Sequence, residues 1–255
     1  MKKHHVLIWI TLFAIAMGIF EGAVVVYIRA LYYPEGFDFP LKLMSNQVAI
    51  TEVIRELASL LMLLSVGVIA GKNFSQRFAW FIYSFAVWDI IYYVFLYLIL
   101  TWPSSLLTWD VLFLLPVTWT GPVIAPVIIS LLMILLAMII YTGNIKTDNK
   151  LVISNREWII LICGSFVVFI SFIWDYCRFI IQNIDRVAFR EQSFLVRVYN
   201  LSFQYIPDRF PWLVFILGAS TILIGIFLFY QRNKKEALSK QPRMSLRVKN
   251  ERSNL

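Results

Sequence analysis

Residues 47–71 read QVAITEVIRELASLLMLLSVGVIAG, a 25-residue stretch built mainly from Val, Ile, Leu and Ala but carrying three charged side chains. About 20 apolar residues in a helix cross the roughly 30 Å hydrocarbon core of a bilayer, so this stretch is long enough to span one. Glu52, Arg55 and Glu56 stand at i, i+3 and i+4, which places them on one helix face and lets Glu52 pair with Arg55. A charge at the middle of a span costs about 2.5–3.5 kcal/mol on insertion scales, and such residues face the bundle interior, a wet cavity or one another. The stretch therefore predicts a multi-span helical bundle with a polar interior.

The rest of the chain agrees. Of its 255 residues, 60% are hydrophobic and 15% charged, with a mean hydropathy of +0.75. Soluble domains run about 45–50% apolar and about 25% charged. Nine Trp, 12 Tyr and 21 Phe suit a bilayer and its interfaces. A water-soluble enzyme, a disordered chain and a disulfide-stapled secreted domain are excluded. Cys163 and Cys177 lie 14 residues apart in one apolar segment, roughly 21 Å along a helix, too far to bridge.

The expected fold is an all-α integral membrane protein in which residues 1–230 form one domain of six transmembrane helices, over about 6–32, 47–71, 78–101, 122–142, 157–180 and 211–230. The apolar run at the start continues through Val26 to Tyr33, longer than a signal-peptide core, and reads as an uncleaved first span. Segment 103–121 is apolar but contains Asp110 and is broken by Pro103, Pro116 and Gly121. Irregular backbone at membrane depth is tolerated only against protein or a wet cavity. This segment is read as interfacial or re-entrant, with a seventh span as the alternative. In the last span, Gly218, Ser220, Thr221 and Gly225 suggest close helix packing.

Basic residues set the orientation. Fifteen Lys and Arg fall on the side of the N-terminus and seven on the other, which predicts cytoplasmic termini. Eight of the fifteen lie between Arg232 and Arg252, in a tail, 231–255, expected to be disordered and held against anionic lipid rather than to bind nucleic acid. The 181–210 segment is expected to be external. Ile180, Ile181, Ile184, Val187 and Ala188 recur there at helical spacing, suggesting an amphipathic helix on the outer leaflet, with a solvated loop as the alternative.

Glu21, Glu52, Arg55, Glu56 and Asp89 fall within spans, with Asp175 and Arg178 at an outer rim. Helical rise puts Glu21, Glu56 and Asp89 roughly 14–18 Å from the outer ends of their helices, near one level. The cytoplasmic half of each span lacks such charges, which predicts a cavity opening outward. Asp89 shares a face with Tyr92 and Tyr93, and Asp175 can pair with Arg178 at i, i+3. Five acids against two arginines leave an excess that must be protonated, solvated or balanced by a cation. The candidate ligand-binding set is Glu21, Glu52, Arg55, Glu56, Asp89, Tyr92, Asp110, Asp175 and Arg178. Candidate catalytic groups are Glu56, Asp89, Tyr92 and Tyr93, and any metal would be held by Glu21, Glu56 and Asp89. Ordinary helix–helix polar contacts are the competing explanation for several of these residues.

The only histidines are His4 and His5, and no lysine lies within a span, so haem, zinc and retinal are not expected. An oxygen-ligated cation is compatible with the side chains present. Two function classes follow: an outward-facing site that binds or transports a cation or small cationic solute, or an intramembrane enzyme acting on a lipid or isoprenoid. An assembly subunit whose buried charges meet a protein partner is a third. The stretches FEGAVVVYIRALYYPEGF (20–37) and WDIIYYVFLYLILTWPSSLLTWDVLFLLPVTW (88–119) resemble segments of an uncharacterised family of bacterial multi-span membrane proteins. That resemblance implies a multi-pass membrane protein and assigns no activity.

Overall fold

A computed structural model describes residues 3–146, 151–184 and 194–240. Six helices are long and apolar enough to cross a membrane: α1 (Lys3–Tyr32), α2 (Asn46–Ala70), α3 (Phe74–Leu100), α4 (Ile124–Lys146), α5 (Asn155–Asn183) and α7 (Trp212–Lys240). The short α6 (Phe194–Ser202) lies between the last two. Local chemistry fixes several starts. The Ser45 side chain accepts from the Val48 N–H (3.3 Å) and Asn73 from the Gln76 N–H (2.9 Å). Ser154 and Glu157 form a capping box that begins α5 two residues before the expected boundary.

The 103–121 segment is neither a span nor helical. Strands β1 (Trp109–Phe113) and β2 (Trp119–Pro122) pair antiparallel, with Asp110 opposite Gly121 and Phe113 opposite Trp119 and a register shift between Val111 and Phe113. The fold is therefore mostly helical with one β-hairpin. Strand pairing satisfies the backbone of a segment that Pro103, Pro116 and Gly121 keep from becoming a helix.

Helix α3 is central and packs against α1, α2 and α4; α7 joins α4 to α5, and β2 rests on α4 and α5. The hairpin wedges between the two halves. Phe113 meets Phe85 and Trp88 of α3, while Trp119 meets Phe169 and Phe172 of α5. Most of the buried apolar residues form one cluster running through α3, α4, α5 and α7.

Beyond Tyr230, α7 continues to Lys240. Arg232 there binds Glu157 (2.8 Å) and the Val152 carbonyl (2.7 Å), tying the end of α7 to the start of α5. Residues 241–255 of the expected tail lie outside the described residues. In the expected external segment, Ile180 and Ile181 belong to the last turns of α5, and residues 185–193 also lie outside the described residues.

Small residues bring α5 and α7 together. A Cβ on Gly218 would stand 2.8 Å from the Val168 backbone nitrogen and 3.0 Å from the Gly164 carbonyl oxygen, whereas Ser220 is exposed on the outer face of the helix. Overpacking typically costs about 1–3 kcal/mol, and a backbone neighbour cannot rotate aside. Gly218→Val is therefore expected to lower the melting temperature in detergent, while Ser220→Val leaves it unchanged.

Candidate functional site

A cavity of about 230 Å³ lies between α1, α2, α3, α4 and the hairpin, with Phe172 of α5 at one wall. Five carboxylates line it, namely Glu21, Glu52, Glu56, Asp89 and Asp110, against one guanidinium, Arg55. Much of the remaining wall is aromatic, from Phe85, Trp88, Tyr92, Tyr93, Phe113 and Trp119. The structure thus brings together Glu21, Glu52, Arg55, Glu56, Asp89, Tyr92, Tyr93 and Asp110.

Most of these carboxylates already have strong partners. Arg55 donates from Nη2 (2.7 Å) and Nε (2.9 Å) to Glu52 and from Nη1 to Glu21. Ser59 donates to the other Glu21 oxygen (3.1 Å). The Arg55–Glu21 contact links α2 to α1, a pairing that one-helix spacing does not reveal. Glu56 points into the hairpin, where its two oxygens accept the backbone N–H groups of Leu114 (2.8 Å) and Leu115 (3.1 Å). Those amides sit past the end of β1, where no strand partner serves them, so the carboxylate takes the place of a ladder partner.

Asp110 accepts from the Tyr93 hydroxyl (3.3 Å) and from Arg29 Nη2 (3.5 Å). Arg29 is 6% exposed, and its guanidinium lies over Trp102 (3.7 Å) and Phe37 (4.5 Å). The charge count had placed Arg29 among the external residues. Spacing gave little signal: Arg29 follows Glu21 by eight residues, a little over two turns, which leaves the two side chains about 80° apart around α1.

Asp89 differs from the other four. Its only partner among the described residues is the Ser130 hydroxyl, which donates to Oδ2 at 2.8 Å. No guanidinium and no pair of amides balances it. Tyr92 lies beside it on α3, with its ring edge-on to that of Tyr93 at 5.0 Å.

Two expected site residues lie elsewhere. Asp175 accepts from the Tyr205 hydroxyl (2.9 Å) and the Asp208 N–H (3.1 Å), and Arg178 is exposed, so the expected pair between them does not form. Three residues of helix rotate a side chain about 60° off its starting direction, enough here to turn one inward and the other out. Burial, then the nearby Asp175 carboxylate, pushes the Tyr205 phenol above its ordinary value. Its single proton goes to Asp175, so in the 2.9 Å contact with Thr120 of β2 the threonine is the donor. Asp175 thus serves to fasten the 205–208 segment and the hairpin to α5.

Among the described residues, no group of three His, Cys, Asp or Glu side chains is arranged to hold a metal ion. Glu21, Glu56 and Asp89 line one cavity without converging on a point. The site combines a carboxylate excess with aromatic walls and one acid, Asp89, held by a single neutral hydroxyl, a chemistry suited to a positively charged guest larger than a bare ion. No family model, curated protein or solved structure matches this chain, which stands on its geometry as a polytopic membrane protein with buried carboxylates and ion pairs.

Proposed function

We propose that the protein binds and carries a small organic cation, with Asp89 as its counter-ion and the aromatic walls as its cage. The observation that carries this reading is the lining itself: five carboxylates face one arginine in a single cavity, and Asp89 is held only by a neutral hydroxyl. An ammonium group between a carboxylate and ring faces gains from both, with cation–π contacts worth about 2 kcal/mol or more when desolvated. A volume of about 230 Å³ is roughly that of eight liquid waters at about 30 Å³ each, which sets the scale of the guest near ten non-hydrogen atoms.

The reading as an enzyme acting on lipid or isoprenoid draws less support. Glu56 is taken up by two amides and Tyr93 by Asp110, which leaves only Asp89 and the phenol of Tyr92 among the candidates. A bilayer location, with the basic end cytoplasmic, supports entry of the guest from the hairpin side.

The test uses purified protein in detergent with phenethylammonium and tetramethylammonium as probes, read by tryptophan fluorescence, since Trp88 and Trp119 line the cavity. Asp89→Asn is expected to weaken binding at least tenfold, about 1.4 kcal/mol, while the fold is retained. A probe at 100 times its dissociation constant should stabilise wild type by about 2.7 kcal/mol. Millimolar Mg²⁺ or Ca²⁺ should leave the melting temperature unchanged. Uptake of radiolabelled probe into proteoliposomes then reports carriage. Binding unaffected by Asp89→Asn would sink the assignment of the counter-ion.

A further inference from the structure

Arg55 has an unusual position for a residue in a cation site. Among the described residues it is the only guanidinium lining the cavity, and it bridges two of the five carboxylates there, Glu52 on its own helix and Glu21 on α1. Its side chain is 20% exposed, against 9% for Glu21 and 13% for Glu52, so it is the most accessible of the three. Its donors occupy Glu21 and Glu52 oxygens that would otherwise be open to another cation.

We propose that Arg55 is a resident competitor: a tethered cation that fills the Glu21–Glu52 half of the cavity and is displaced, wholly or in part, when an organic cation binds. This rests on the function proposed above and deepens it by naming what sets the affinity. The physical reason is the balance of charge. In the empty cavity Arg55 bridges two carboxylates and compensates one of their two charges in low dielectric, which stabilises the empty state. When a second cation enters, the two positive groups share one confined volume, and like-charge juxtaposition across a desolvated contact costs several kcal/mol. Affinity is thereby lowered and release made easier, which suits a carrier whose guest must leave. The arginine also has somewhere to go. Glu52, one turn away on the same face of α2, can retain it through the Nε and Nη2 contacts while the Nη1 contact to Glu21 is given up. Ser59 keeps its hydrogen bond to the second Glu21 oxygen throughout, which holds that carboxylate in place for the guest.

Phenethylammonium titration by calorimetry and tryptophan fluorescence, on wild type, Arg55→Lys, Arg55→Gln and the double variant Glu52→Gln/Arg55→Gln, tests this. A resident competitor predicts binding about tenfold tighter in Arg55→Gln, near wild-type affinity in Arg55→Lys, and tighter binding again in the double variant. The double variant removes one charge of each sign, so it keeps the net charge of the cavity, guards against misfolding of the single variant and separates competition from overall charge. Unchanged or weaker binding in both Arg55→Gln and the double variant, with a wild type that binds, overturns the competitor role and leaves the cation site standing. Absence of binding in wild type with binding in either variant supports both ideas, because the competitor would then dominate. Absence of binding in every protein overturns the cation site and the competitor together.

Discussion

Glu56→Ala is expected to lower the melting temperature of the protein by releasing its hairpin. The substitution strips both acceptors from the Leu114 and Leu115 amides, which are partly buried, and a fully buried donor left unsatisfied costs about 1–3 kcal/mol, an upper bound for each. The hairpin is a wall of the cavity, contributing Asp110, Val111, Leu112, Phe113, Leu114 and Trp119, so a loosened turn also deforms the site. Glu56→Gln keeps one carbonyl oxygen but sets an NH₂ group against the other amide, and should fall between alanine and wild type. The measurement is thermal unfolding in detergent, combined with cysteine labelling at Leu114→Cys. A hairpin freed from α2 should label faster in the Glu56→Ala background. Equal labelling and an unchanged melting temperature would show that the hairpin is held by its aromatic contacts alone.

The dual role of Glu56 explains what the sequence could and could not disclose. The span count was legible because six apolar runs are separated by Gly, Pro and charged residues, and the observed helices match those runs with ends shifted by a few residues, except that α7 runs on past 230 to Lys240. The acids near one level on α1, α2 and α3 were legible through helical rise, and the cavity does gather Glu21, Glu56 and Asp89. The hairpin was not. Trp109–Phe113 and Trp119–Pro122 lack a clean alternation of apolar and polar residues, and for short apolar runs periodicity does not separate strand from helix. Its anchor was hidden for a second reason. The partners of Glu56 are backbone N–H groups, which every residue but proline possesses and which leave no mark in a sequence. The Asp175–Arg178 reading failed differently: i, i+3 spacing permits a pair without requiring one, and Tyr205 and the Asp208 amide gave Asp175 better-placed donors.

Arg29→Ala is expected to be the other large effect, at the opposite end of the hairpin. Arg29 and Asp110 form a buried pair with side chains 7% and 4% exposed, and removing one member of such a pair costs about 3–5 kcal/mol because the remaining charge is left uncompensated. Two ring contacts, to Trp102 and Phe37, are lost with it. Arg29→Lys should recover little, because an ammonium lacks the planar group that lies over both rings. Asp110→Asn combined with Arg29→Ala discriminates between causes. If the damage comes from the stranded carboxylate, the double variant should be more stable than Arg29→Ala, since no buried charge then remains at this position. If it comes from the lost ring contacts, the second substitution should change nothing. The first outcome, read by thermal unfolding, would make the Arg29–Asp110 pair the electrostatic clamp on the base of the hairpin, complementary to the Glu56 clamp on its turn. The cavity wall would then be held at both ends by charged groups, and its position would depend on their pairing.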